Sequence, residues 1–145
     1  PFLKNGIFQK KAIKENAEKA IEKYHIKTSG NQEGETPVKF MSGGNQQKVI
    51  LAREITEHSK LIIANQPTRG LDIGATQFVR QVWMDQRNEG KSVILISADL
   101  EEIMQLSDRV AVMFGGKIVG VQKKEKIEME QLGLLMGGIT KEEMK

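Results

Sequence analysis

The sequence predicts an α/β fold on a mostly parallel sheet, led by a helical segment. Two observations carry this. Three short apolar runs, Leu61–Ala64, Ser92–Ser97 and Arg109–Phe114, show no polar alternation, as expected of strands buried on both faces. Helical periodicity fills the gaps between them, so the order is strand, helix, strand, helix, strand, with right-handed crossovers.

The elements follow in order. Ala12, Ile13, Ala17, Ala20, Ile21 and Tyr24 recur at helical spacing among lysines and glutamates. Thr28–Pro37 holds Ser29, Gly30, Asn31, Gly34 and Pro37 and reads as a loop. A second helix is expected over Gly43–Glu57, with Ser42 as N-cap and Val49, Ile50, Ala52 and Ile55 as its apolar stripe. Phe78, Val79, Val82, Trp83 and Met84 mark a third helix, and Gly90 is a natural stop for it. Asp99–Leu106 is a short helix with Leu100, Ile103 and Met104 on one side. Gly115-Gly116 predicts a hairpin turn into Lys117–Val121, and Ile127–Met136 a terminal helix.

Bulk properties narrow the function classes. A chain of 145 residues suits one compact domain. Apolar residues make up 39% and charged residues 28%, close to the globular average. The net charge of +3 is small, and the lysine-rich stretches Lys10–Lys14 and Lys123–Lys126 read as solvated faces, so no nucleic-acid partner is expected. The absence of cysteine excludes disulfides, thiolate metal sites and a cysteine nucleophile. No apolar run reaches the roughly 18–20 residues needed to cross a bilayer. The start Pro1-Phe2-Leu3-Lys4 is no signal peptide and has no initiator methionine, so the chain is expected to be part of something longer or a processed form.

Three segments carry candidate chemistry. In Met41-Ser42-Gly43-Gly44-Asn45-Gln46-Gln47-Lys48, a serine and two glycines open a helix. Free N–H groups and the positive helix end make such a start an anion site, and glycine lets a phosphate come close. Taken alone, the same residues also read as an ordinary capped helix start. In Leu61–Asp72, the amides Asn65 and Gln66 fall at the carboxyl end of a buried strand, where open α/β sheets bind ligands. Strand-end capping and turn formation explain them equally well. In Ile94–Glu102, Ser97 or Asp99 caps the next helix.

Together the three segments resemble ABC-transporter ATPases, over nearly the whole chain from about Ala12. Met41–Lys48 matches the family signature, with Asn45 where glutamine is more usual. The Ser-Gly-Gly-Asn-Gln-Gln-Lys form is typical of simple-sugar and nucleoside importers, whose ATPase carries two nucleotide-binding domains in tandem. This form, together with Pro67–Ala75 and Ser107–Met113, looks like the second of these domains. The amide pair before Pro67-Thr68 and the Leu132–Gly138 ending lean toward the nucleoside or basic-membrane-lipoprotein-linked branch.

The resemblance implies a P-loop NTPase core fragment. Residues 1–58 would be part of the helical subdomain with the signature helix, and 59–145 the carboxy-terminal part of the ATPase core. It implies ATP and Mg2+ as cofactors of the complete transporter, none held tightly by this chain alone. It also implies a partner nucleotide-binding domain, permease subunits, an extracytoplasmic solute-binding protein, and a peripheral place on the cytoplasmic face of the membrane. Ser42, Gly43 and Gly44 would meet the γ-phosphate of ATP held by the partner domain, with Asn45 and Gln46 in support. Asp72 would lie in the loop at the pair interface, shaped by Thr68 and Arg69.

The sequence departs from the family at the hydrolysis residues. Asn65 and Gln66 stand where the family has the Walker B aspartate and the catalytic glutamate, and Ala98 where it has the switch histidine. An amide lacks the charge that attracts magnesium and the basicity that polarises water. Loss of a positioned base typically costs about 10²–10⁴-fold in rate. No Gly-x-x-x-x-Gly-Lys-Ser/Thr occurs, so the Walker A half is absent and is expected upstream of Pro1. The chain alone is therefore expected to be inactive, with no metal site of its own. Two other readings stand beside this one: a non-catalytic dimerisation or regulatory module, and a soluble ABC ATPase acting on nucleic acid or the ribosome.

Overall fold

A computed structural model describes residues 2–28 and 36–139 of the chain. Most of the predicted loop at Thr28–Pro37 lies outside these residues. The chain forms two compact units, Pro1–Ile96 and Ser97–Lys145.

The first unit opens with a hairpin, β1 (Leu3–Lys4) antiparallel to β2 (Ile7–Phe8), which the sequence did not signal. The first predicted helix is α1 (Lys10–Tyr24). It ends in a left-handed turn at His25, φ 49°, where Ile26 N–H reaches back to the Ile21 carbonyl at 3.0 Å. That Schellman-type closure satisfies a terminal carbonyl and buries Tyr24 and Ile26. A 3₁₀ turn, Val38–Phe40, precedes α2 (Gly43–Glu54), which packs against α1. The predicted stripe residue Ile55 is buried as the cap of α2, and the helix stops there rather than at Glu57.

Then come β3 (Leu61–Asn65), α3 (Ile73–Asn88) and β4 (Ser92–Ile96). The strands pair in parallel, from Leu61 beside Ser92 to Asn65 beside Ile96. Gly90, φ 84°, takes the left-handed turn after α3 that a side chain would resist. α3 packs against β4 and supplies Val79, Val82 and Trp83 to the core. The inner face of the two strands, Ile62, Ala64, Val93 and Leu95, is buried or half-buried. Their other face is not: Leu61, Ile63, Ile94 and Ile96 are 53%, 64%, 48% and 48% exposed. The expectation of strands buried on both faces is corrected accordingly, because among the described residues this unit covers one side of the pair.

The second unit contains α4 (Leu100–Leu106), β5 (Arg109–Phe114), β6 (Lys117–Lys123) and α5 (Met129–Met136). The sequence leads one to expect β5 as a third parallel strand. It pairs instead antiparallel with β6, with a bulge at Val112/Met113. Gly115 and Gly116, φ 54° and 76°, make the predicted two-residue turn, whose twist suits a hairpin. Val110 and Val112 point inward and alternate with exposed neighbours, the mark of a strand covered on one face. They form a core with Ile127, Leu132 and Leu135, and Leu100, Ile103, Met104 and Val119 pack against it.

Candidate functional site

The start of α2 is built from its own short side chains. Ser42 sits in the extended N-cap conformation, and its Oγ accepts from Asn45 N–H at 3.4 Å and from Asn45 Nδ2 at 3.1 Å. Both bonds use the oxygen as acceptor, which leaves the hydroxyl proton to donate. Asn45 Oδ1 in turn accepts from Lys27 N–H at 2.9 Å, just beyond α1. Gln46 Nε2 donates to the Met41 carbonyl at 2.9 Å. Asn45 and Gln46 thus face back into their own unit and hold the segment from behind.

The two glycines have different surroundings. Gly43 is exposed, and the nearest atom to a Cβ built there is a Leu71 methyl at 4.0 Å. Its N–H belongs to the first helical turn, which has no intrahelical acceptor. Backbone N–H, the Ser42 hydroxyl and the positive helix end are all groups that suit a small anion. Gly44 is half-buried, and a Cβ built there would lie only 2.8 Å from Ala75 Cβ.

Asp72 closes that seam. It is the N-cap of α3, its Oδ1 accepting from Ala75 N–H at 2.8 Å. The order Leu71-Asp72-Ile73 already held this cap, an acidic residue immediately before a periodic run. Lys48 bridges three helices: its Nζ donates to the His25 carbonyl at 2.9 Å and lies 4.5 Å from the Phe78 ring centre. The His25 ring meets Phe78 edge-on at 6.5 Å. Burial lowers the Lys48 ammonium pKa, Lys27 lowers it further, and the Asp72 carboxylate opposes both. Sequence reasoning missed Lys48 and Ala75, since their partners lie on other helices. Both His25 and His58 are exposed.

The amide pair ends the parallel strands. Asn65 is exposed beside Ile96. Gln66 takes a left-handed conformation, φ 48°, and its N–H donates to the Ile96 carbonyl at 2.7 Å. The chain then turns through the buried Pro67, with Arg69 N–H on the Gln66 carbonyl at 3.2 Å and Leu71 N–H on that of Thr68 at 3.2 Å. Gly90-Lys91-Ser92 repeats the tail of a phosphate-loop motif, but it runs from a helix into a strand. Lys91 is committed there to Gln86 Oε1 at 2.7 Å, the Thr56 carbonyl at 3.2 Å and Glu89 at 3.2 Å.

Ala98 belongs to the second unit. It is exposed and sits in the turn where Ser97 Oγ accepts from Asp99 N–H at 3.0 Å. Asp99 is the cap of α4, accepting from Glu101 and Glu102 N–H at 2.9 and 3.2 Å. Among the described residues, no group of three or more His, Cys, Asp or Glu side chains could hold a metal ion, and no helix is long and apolar enough to cross a membrane.

No protein-family model matches the chain, whereas individual relatives do. It is 43% identical over 143 residues to the guanosine import ATP-binding protein NupO of Bacillus subtilis (strain 168), covering 99% of this chain and 28% of that protein. It is 39% identical to the nucleoside import ATP-binding protein NupA of Lactococcus lactis subsp. cremoris (strain MG1363), covering 95% and 27%. It is 50% identical to the glucose import ATP-binding protein TsgD13 of Haloferax volcanii over 98 residues, covering 68% and 18%. The chain therefore spans under a third of these relatives' length.

Two solved structures share its architecture. The dimeric ATP-binding cassette MJ0796, in a post-hydrolysis state bound to ADP and Pi, matches with a TM-score of 0.65 at 20% identity, over 83% of this chain and 51% of that one. MJ1267, an ATP-binding cassette of an ABC transporter, matches with a TM-score of 0.71 at 20% identity, over 94% and 53%. The fold is that of an α/β ABC ATPase cassette.

Proposed function

The chain belongs by sequence to the ATP-binding proteins of nucleoside and simple-sugar ABC importers, and we propose that it lends Ser42, Gly43 and Gly44 to an ATP site completed by a partner domain. The observation that carries this reading is the open, exposed backbone at Gly43 beside a Ser42 hydroxyl fixed at a helix start. Those groups fit an anion. They supply one hydroxyl donor, backbone N–H and a positive helix end, and no side chain in the way. Asn45 and Gln46 keep the donors in place, so little reorganisation is needed when phosphate arrives.

The loop from Thr68 to Asp72 lies beside this start and forms the rest of the face turned to the partner. The solved dimer of the similar cassette MJ0796 with ADP and Pi supports pairing as the arrangement in which such a face acts. ATP, with Mg2+, supplies the phosphoryl group whose cleavage drives the complete transporter. The residues of this chain orient it and screen its charge. They do not cleave it, because Asn65, Gln66 and Ala98 offer no carboxylate or imidazole to activate water. The 145 residues also contain no Gly-x-x-x-x-Gly-Lys-Ser/Thr, so the phosphate cradle is no part of the chemistry assigned to them. In the cell this role places the protein at the cytoplasmic face of a permease that works with an extracytoplasmic solute-binding protein.

The test is made in the intact ATP-binding protein that carries this sequence. Ser42→Arg and Gly43→Asp are each expected to cut ATP turnover and transport by about 10²-fold. Unchanged turnover in both overturns the reading. Sedimentation of the chain with a complete cassette is expected to show association that depends on ATP. Association indifferent to ATP points instead to a plain dimerisation module.

A further inference from the structure

Gly44 is small for a different reason from Gly43. A Cβ at position 44 would stand 2.8 Å from Ala75 Cβ and 3.8 Å from Asp72 Oδ2. Carbon atoms pack best at about 3.5–4.0 Å, so a side chain there must push the starts of α2 and α3 apart by roughly 0.7 Å. Ala75 cannot swing aside. Its Cβ is fixed to the first turn of α3, and its own N–H is held by Asp72 at 2.8 Å. One turn further along each helix, Lys48 of α2 lies over the ring of Phe78 of α3. Positions 44 and 48, and 75 and 78, fall at helical-face spacing, so the two contacts form one continuous seam. Polar tethers also fix α2 to the chain just after α1, from Lys27 N–H to Asn45 Oδ1 and from Lys48 Nζ to the His25 carbonyl.

We propose that Ala75 is a positioning residue. Through its contact with Gly44 it joins the Ser42-Gly43 segment and the Thr68–Asp72 loop into one rigid unit, so both meet the partner's ATP together. This rests on the in-trans reading above. Ala75 itself touches no nucleotide in that reading, so its effect on turnover must pass through Gly44.

The experiment uses the intact ATP-binding protein with Gly44→Ala, Ala75→Val, Ala75→Gly and the double variant Gly44→Ala/Ala75→Gly. A misplacement near 1 Å costs up to about 10²-fold in rate, so Gly44→Ala is expected to lower kcat by about 10- to 100-fold. Ala75→Val crowds the same gap from the other helix. It is expected to lower kcat comparably, while the KM for ATP, set by the partner's phosphate cradle, stays within about twofold. The double variant makes room for the new methyl and is expected to recover to within about threefold of Ala75→Gly. A double variant as slow as Gly44→Ala overturns the proposal, because Gly44 then acts only by its own approach to phosphate. Full turnover in both Gly44→Ala and Ala75→Val overturns it equally. Should Gly44→Ala fail to fold, the rates of Ala75→Val and the double variant decide between the same two outcomes. Ser42→Arg and Gly43→Asp run in parallel: if both are harmless, the in-trans reading falls by itself, whereas rescue failing beside a damaging Gly43→Asp removes only the seam.

Discussion

Ser42 and Asp72 perform the same local task at two neighbouring helix starts. Each turns a short oxygen-bearing side chain onto the N–H three residues ahead and satisfies a donor the helix cannot. Truncation of either cap is expected to cost about 1 kcal/mol. Urea denaturation of the chain checks this, with Asp72→Ala expected to shift the midpoint and Asp72→Asn to keep most of the wild-type value. The cap at Ser42 is anticipated from the sequence and the one at Asp72 was missed, although both signals are local. The cap at Asp72 is the easier to miss, because the family resemblance draws that residue toward an interface role. The amide pair shows the opposite case. The chemical identity of Asn65 and Gln66 is plain in the sequence, but the left-handed backbone at Gln66 is not. A left-handed backbone costs any residue with a Cβ about 1–2 kcal/mol, and β-branched side chains adopt it least readily. Gln66→Val is therefore expected to destabilise the chain more than Gln66→Ala, as thermal unfolding of the pair can show.

At the scale of elements, the helices are the most legible part. α1, α2 and α3 can be anticipated because an apolar stripe every three to four residues is visible along the chain. Gly90 announces the end of α3 for the same local reason. Strand partners are less accessible. Gly115-Gly116 announces the hairpin, but Arg109–Phe114 also reads as a third parallel strand, and among the described residues it pairs only with the hairpin strand. Periodicity reports which residues are apolar, and pairing depends on which backbone lies alongside. The link between α2 and α3 tells the same story. Lys48 and Phe78 are far apart along the chain, and no pattern in sequence couples them. Their interaction is open to measurement: a double-mutant cycle of Lys48→Met and Phe78→Leu is expected to give a coupling of about 0.5–1 kcal/mol. A coupling near zero would mean the ammonium is held by the His25 carbonyl alone.

At the scale of the molecule, the exposed apolar face of β3 and β4 sets the behaviour of the chain in isolation. Leu61, Ile63, Ile94 and Ile96 stand side by side on it, and among the described residues no further strand pairs with either edge. Contiguous apolar surface and unpaired edges favour self-association. The isolated 145-residue chain is expected to sediment with a mass that rises with concentration. Ile63→Lys with Ile94→Lys is expected to move it toward the monomer while leaving the far-ultraviolet circular dichroism unchanged. A wild-type chain that stays monomeric throughout contradicts this.

By itself the sequence determined the α/β class, the order of the main helices and strands, the helix-opening Ser42-Gly43-Gly44 segment and the amide character of Asn65 and Gln66. These are properties of residue type and short-range spacing, and physical chemistry acts on them locally. The tertiary structure alone decided that, among the described residues, β5 is no third parallel strand, which face of β3 and β4 lies bare, and that the two glycines of the segment differ. Gly43 faces open space and Gly44 faces Ala75. Adjacent and identical in sequence, they part only when α3 is brought against α2, because the space around a glycine is set by the chain that folds back upon it.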